Sequence, residues 1–189
     1  PLEIALARAE ITARRTETIF LPSASLLAQV LPETALYLRY QQGFRPGGLA
    51  VSGDFVQRYR NDRIGTVEFG VRHGQQGSGP FDMSASISFT DWRDIQADFI
   101  DASGLPTTAN VGDGHIWTGT LSGGLRVDPH LRIDAAFVYN QSRVTEPSFA
   151  MLPMLVRLDE GPNIARVGGR VGFDYARALG KGLTLTAQG

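Results

Sequence analysis

The chain has 189 residues, no cysteine, a hydrophobic fraction of 42% and a formal net charge of -1 from 18 basic and 19 acidic side chains. These figures allow a core-forming domain, exclude disulfides, thiolate metal sites and a cysteine nucleophile, and give the chain as a whole no strong field for nucleic acid or anionic lipid. The longest apolar run, AMLPMLV, is broken by Pro153 and falls far short of the roughly 18 to 20 residues of a membrane helix, so helical spans are excluded.

In chain order, the alternation of polar and apolar residues predicts strands near 2–14, 17–28, 34–42, 63–73, 81–99, 115–127, 131–142, 164–176 and 182–189. SASLLAQVL, after Pro22, is the best helical stretch, and it is short enough to be read as strand. The pattern is strictest at Asp82, Ser84, Ser86, Ser88 and Thr90, which interleave with Met83, Ala85, Ile87 and Phe89. Leu131, Ile133, Ala135, Phe137 and Tyr139 alternate in the same way with Arg132, Asp134 and Asn140. The class is all-β, and several runs exceed the roughly 5 or 6 residues of a soluble strand and reach the roughly 9 to 11 of a tilted membrane strand.

Connections alternate in length. QVLPE, GQQGSGP, DPH and RALGKG are tight turns, whereas 43–62, 100–114 and 143–163 are long and rich in Gly, Pro, Asn and Asp. Antiparallel strands send alternate connections to opposite ends, so one end carries turns and the other loops, as in outer-membrane barrels. The connection near Arg15 is short where this scheme expects a long one. The start at Pro1 in a strand-like run and the end in LTLTAQG, which reads as a strand cut part-way, suggest a piece of a longer protein.

Four motifs carry a resemblance. YQQGFRPGG (40–48) ends a strand with two glycines and Pro46, yet holds Phe44 and Arg45, an odd pair for a plain turn. TVEFGVRHG contains Glu68, Gly70 and Arg72; SISFTDWRDIQADF and NVGDGHIWTGTLSGGLRVDP follow. In this order they resemble the C-terminal barrel of TonB-dependent outer-membrane receptors over about Ser23 to Arg143, with Arg72 where that family usually has Lys, and Thr120 and Ser122 where it often has an acidic residue. The resemblance implies an antiparallel up-and-down meander forming part of a barrel of about 22 strands with a plugged lumen. It also implies uptake of a scarce nutrient of the siderophore-iron, cobalamin or glycan class, an N-terminal plug domain of the same parent chain as partner, TonB engaged only through that N-terminal region, and an outer-membrane location in lipid.

Phe44, Arg45, Phe55, Tyr59, Asp101, Asp113, Phe149 and Met151, all in the long segments, are the candidates for first contact with a small-molecule substrate such as a metal chelate. Arg39, Glu68, Arg72, Arg126, Arg132, Asp134, Arg170 and Asp174 lie opposite the apolar residues of their strands, and if the apolar face meets lipid they face the lumen or plug. No catalytic site, resident metal or cofactor is expected. His73, His115 and His130 fall at strand ends or turns, Ser84, Ser86 and Ser88 read as polar wall, GQQGSG and GDGHIWTG lack the Lys-Ser/Thr and helix of a phosphate loop, and Asp101 and Asp113 lack EF-hand spacing. The competing reading is a soluble β-sandwich or jelly-roll binding module, for instance for carbohydrate, in which all apolar faces meet in one core.

Overall fold

A computed structural model describes residues 16–52, 55–77, 79–100, 104, 106–147 and 164–189. Among these there are ten strands and no helix: β1 (Ser23–Leu31), β2 (Thr34–Arg45), β3 (Gly48–Ser52), β4 (Phe55–Tyr59), β5 (Asp62–His73), β6 (Phe81–Ile100), β7 (Pro106–Arg126), β8 (Leu131–Pro147), β9 (Val167–Gly180) and β10 (Leu183–Gln188). Eight form one antiparallel meander in the order β1-β2-β5-β6-β7-β8-β9-β10, and β3 and β4 form a separate hairpin. Within the described residues the sheet is open, with β1 and β10 as its outer strands.

The register explains the alternation. Directly paired residues share a face, and the pairing runs Leu38, Phe69, Ile87 across β2, β5 and β6, and Leu36, Val71, Ala85, Leu121, Phe137 from β2 to β8. This apolar face is bare: Leu38, Phe69, Ile87, Leu121, Phe137 and Val171 are 47% to 77% exposed, whereas a sandwich would cover them with a second sheet. Rings border it at both ends. Tyr40, Phe89 and Trp117 form one row, with the Phe89 and Trp117 rings 4.9 Å apart, and Phe81 and Phe173 lie in a row at the other end, two positions from Tyr175. From Phe81 to Phe89 the span matches the roughly 9 to 11 residues of a tilted membrane strand, and the two ring rows sit where interfacial aromatics belong.

Several expected boundaries move. The strand expected at 2–14 and the short connection near Arg15 lie outside the described residues, and the strand expected at 17–28 is Ser23–Leu31. The segment 43–62 is not a plain loop: β2 runs on to Arg45, and the β3–β4 hairpin fills the middle. The loop expected at 100–114 is largely strand, because β6 reaches Ile100 and β7 starts at Pro106. These two strands have 20 and 21 residues, about twice what a bilayer needs, so their far halves stand clear of it. β8 extends to Pro147, and β9 and β10 are Val167–Gly180 and Leu183–Gln188. The turn expected over RALGKG contracts to Lys181 and Gly182, whose φ values of 52° and 77° are the positive angles of the tight hairpin turn that matches strand twist.

Candidate functional site

The face opposite the apolar one is a polar wall. Arg39, Glu68, Ser88, Thr118 and Asn140 lie in one row across β2, β5, β6, β7 and β8. Its members satisfy one another across strands: Arg39 donates to Glu68, Thr118 donates to Asn140 at 2.8 Å, and the hydroxyls of Ser86 and Thr120 lie 2.7 Å apart. The Glu-x-Gly-x-Arg spacing of β5 acquires a physical reason here. Tyr37, paired with Gly70, lays its ring over that glycine and donates its hydroxyl to Glu68 at 2.6 Å, while the Arg72 guanidinium stacks 4.9 Å from the ring centre. A Cβ at Gly70 would sit 2.5 Å from the Tyr37 ring, so a side chain there would lift the ring off the wall.

Towards the short-turn end a second cluster bridges three strands. Arg132 on β8 reaches over Gly124 on β7 to Asp82 on β6, and also holds Asp134 through Nε at 3.0 and 3.1 Å. A Cβ on Gly124 would overlap the guanidinium. Arg72, Asp82, Asp134, Arg170 and Asp174 line one hollow on this wall, and Arg126 donates to the Gly77 carbonyl at 3.4 Å. Arg39, Glu68, Arg72, Arg126, Arg132, Asp134, Arg170 and Asp174 fall in rows that alternate with the apolar ones, with two pairing clusters among them.

The mouth at the long-connection end is organised by residues that the sequence did not single out. Asp62, 2% exposed, accepts from the Arg45 backbone N at 3.0 Å, from Arg45 Nε at 2.8 Å and from Trp92 Nε1 at 3.1 Å. Gln96, almost fully buried, donates to the carbonyls of Pro46 and Arg60 at 3.1 and 3.0 Å. Asn110 accepts from Arg60 N at 2.6 Å and donates to the Asp94 carbonyl at 2.7 Å, and Arg60 pairs with Asp94 at 2.9 Å. Together these bonds fasten both ends of the β3–β4 hairpin to the β6–β7 extension. A bulge between Trp92 and Ile95, with Asp94 at φ 52°, turns the extension so that Ile95 and Val111 bury against Trp92, Ala97 and Phe99.

Of the eight loop candidates, the structure gathers two into this mouth. Arg45 is the hairpin anchor, and Asp113 lies in β7 rather than a loop, its Oδ1 accepting from Asp94 N at 2.7 Å. Tyr59 closes the hairpin, its ring lying over Gly48. Phe44 sits on the opposite face from Arg45, in the row of Arg63, so the two odd members of the Phe-Arg-Pro-Gly-Gly stretch serve different sides. Phe55 is in β4, and the placement of its side chain lies outside the described residues, as do Asp101, Phe149 and Met151 altogether. The overlooked residues were visible in part: Gln96 follows Ile95 in the SISFTDWRDIQADF motif that carries the resemblance.

An open antiparallel meander of long strands, apolar and ring-bordered on one face, polar on the other, with tight turns at one end, is part of the wall of a large transmembrane β-barrel. No family model matches the sequence, and no curated protein matches it. Solved structures do. The ferric yersiniabactin uptake receptor FyuA from Yersinia pestis is 17% identical with a TM-score of 0.68, the match covering 89% of this chain and 24% of that one. The copper transporter OprC is 16% identical, TM-score 0.60, over 82% of this chain and 24% of that one. The alcaligin outer membrane receptor FauA from Bordetella pertussis is 14% identical, TM-score 0.57, over 93% and 29%. The chain therefore spans about a quarter of the length of the structures it matches, and at these identities the likeness is one of fold.

Proposed function

We propose that this chain is part of the barrel of a TonB-dependent outer-membrane receptor that takes up a scarce nutrient, with a metal chelate as the favoured substrate class and cobalamin or a glycan as the others. The observation that carries the reading is the combination of a self-satisfied polar wall with a bare, ring-bordered apolar face on the same eight strands. Two of the solved structures of this fold are named as receptors for ferric yersiniabactin and alcaligin and a third as a copper transporter, which supports metal-linked cargo. In this reading the polar wall faces the lumen and part of it holds an N-terminal plug domain, TonB acts through that N-terminal region, and the mouth built on Arg45, Asp62 and Gln96 holds up the loops that meet substrate first. The charges belong inside because Arg or Lys at the bilayer midplane costs about 2 to 4 kcal/mol each on a lipid-facing strand.

Replacing 47–59 of the intact receptor by a short Gly-Ser turn removes the hairpin tip while keeping Arg45 and Asp62. Binding and energy-dependent uptake of the cargo by whole cells are expected to fall while the barrel still inserts. Unchanged binding and uptake would remove the hairpin from the function.

The faces are testable separately. This segment has no cysteine of its own. Glu68→Cys, Arg126→Cys and Arg170→Cys, introduced singly into the intact receptor, are expected to react with a small water-soluble thiol reagent. Phe69→Cys, Leu125→Cys and Val171→Cys are expected to prefer a lipid-soluble one, and the reverse pattern would mean that lipid lies on the polar side.

A further inference from the structure

The hollow near the short turns is the part of the polar wall whose charges do not all answer one another. Arg72, Ser84, Ser122, Ala136 and Arg170 form one row across β5 to β9, so an arginine stands at each end and three small side chains lie between. Among the described residues neither of these arginines has a hydrogen-bonded or ion-paired acceptor. Arg72 stacks on the Tyr37 ring, which orients its guanidinium without using its donors. Elsewhere on the wall the cations are paired, Arg39 with Glu68 and Arg132 with Asp82 and Asp134. In the three rows from Arg72 down to Asp174, Arg72, Arg126, Arg132 and Arg170 face only Asp82, Asp134 and Asp174, so the hollow keeps a positive excess.

Size and position fit a small anionic molecule. The hollow holds about 670 Å³, inside the range of about 300 to 1,000 Å³ of small-molecule sites. Arg72 and Arg170 are four strand spacings apart, about 19 Å along the wall, which suits two anionic groups at opposite ends of one molecule. Planar guanidinium groups match carboxylate oxygens in pairs, and the Ser84 and Ser122 hydroxyls between them can donate or accept. The place is separate from the mouth: Asp62 and Arg72 lie on the same face of β5, ten residues and about 33 Å of strand apart.

We propose that this hollow is a second cargo station, in which Arg72 and Arg170 hold the carboxylates of an anionic metal chelate near the short-turn end of the lumen after it has left the mouth. This rests on the receptor reading and adds a site to it. The two fail differently: a parent protein that stays in water without detergent removes the barrel, whereas the experiment below bears on the lower hollow alone.

The probe is ferric citrate, and the reporter is Ser122→Cys in the intact receptor, since that position lies between the two arginines. Ferric citrate is expected to slow the reaction of this cysteine with a small neutral thiol reagent. Arg72→Gln and Arg170→Gln should each raise the concentration for half-protection by about tenfold. Arg72→Lys with Arg170→Lys should keep part of the protection, because charge remains although the paired donors are lost. Ser25→Cys, on the same face of β1 but away from the hollow, should react at one rate with and without the probe. If Arg72→Gln fails the heat-shift test for a folded barrel through loss of the Tyr37 stack, Arg170→Gln carries the measurement. Unchanged reactivity of Ser122→Cys in the presence of ferric citrate, or equal protection in the glutamine variants, would overturn the proposal. So would a Ser122→Cys that stays unreactive while Glu68→Cys reacts, since the hollow would then be filled by the receptor's own plug.

Discussion

Arg132→Gln is expected to lower the stability of the folded barrel by about 3 to 5 kcal/mol, the cost of leaving a buried charge without its partner. The Arg132 and Asp82 side chains are each 8% exposed, and they pair directly. Asp82 has little else to turn to: the Gly77 backbone N donates to it only at 3.5 Å. Glutamine is too short to span from β8 across Gly124 to β6, and it brings no charge, so the carboxylate would be stranded on the wall. Asp134 is 41% exposed and loses less, because water can replace the guanidinium there. Guanidinium chloride unfolding in detergent, followed by fluorescence and by the heat-shift of the barrel on gels, measures the loss. Combining Arg132→Gln with Asp82→Asn should recover a large part of it, since no uncompensated charge is then buried. A single variant within about 0.5 kcal/mol of wild type, the range of ordinary surface substitutions, would show that the cluster is not holding the three strands together.

This cluster also shows where the sequence is readable. Alternation alone assigned Arg132 and Asp134 to the polar face, because a period of two is a local property that register preserves across the sheet. It did not show that Arg132 lies over Gly124, since that depends on which residue of β7 comes opposite β8. The same limit explains Asp62. It stands in Asn-Asp-Arg, an ordinary loop-like context, and is buried only because Arg45 and Trp92 reach it from 17 residues before and 30 residues after. The β3–β4 hairpin was hidden because its strands are five residues each, bounded by Pro46, Gly47 and Gly48, so too few alternations exist to stand out from a loop. The strand expected over 81–99 anticipated β6 to within a residue, but the far half of β7 was hidden for a different reason. The bulge between Trp92 and Ile95 breaks the parity, and Asn110, Gly112, Asp113 and Gly114 have turn composition while serving as strand.

Asp62→Ala is the complementary test at the mouth, and it is expected to free the hairpin without unfolding the wall. The substitution removes the acceptor for the Arg45 backbone N, for the Arg45 guanidinium and for Trp92 Nε1. Buried donors without acceptors cost about 1 to 3 kcal/mol each, but the Arg45 side chain is 51% exposed and can turn to water, so the expected loss is about 2 to 4 kcal/mol in all. That loss falls on one place, because Gln96 holds the carbonyls of Pro46 and Arg60 only while the chain ends carrying them stay aligned with β6. Trypsin should then cut at Arg58 and Arg60 in the folded receptor at a rate well above wild type, and amide exchange should quicken over 46–61 while β5 and the membrane half of β6 remain protected. Asp94→Asn is the matched comparison: asparagine tolerates the positive φ of this position, and the change removes only the charge of a single ion pair to Arg60, whose side chain is 74% exposed, where such pairs are worth about 1 kcal/mol or less. Equal protection of the hairpin in Asp62→Ala and wild type would mean that the buried carboxylate is not its anchor. A loosened hairpin with normal barrel insertion would show that Asp62 sets the position of the β3–β4 hairpin without holding the wall together.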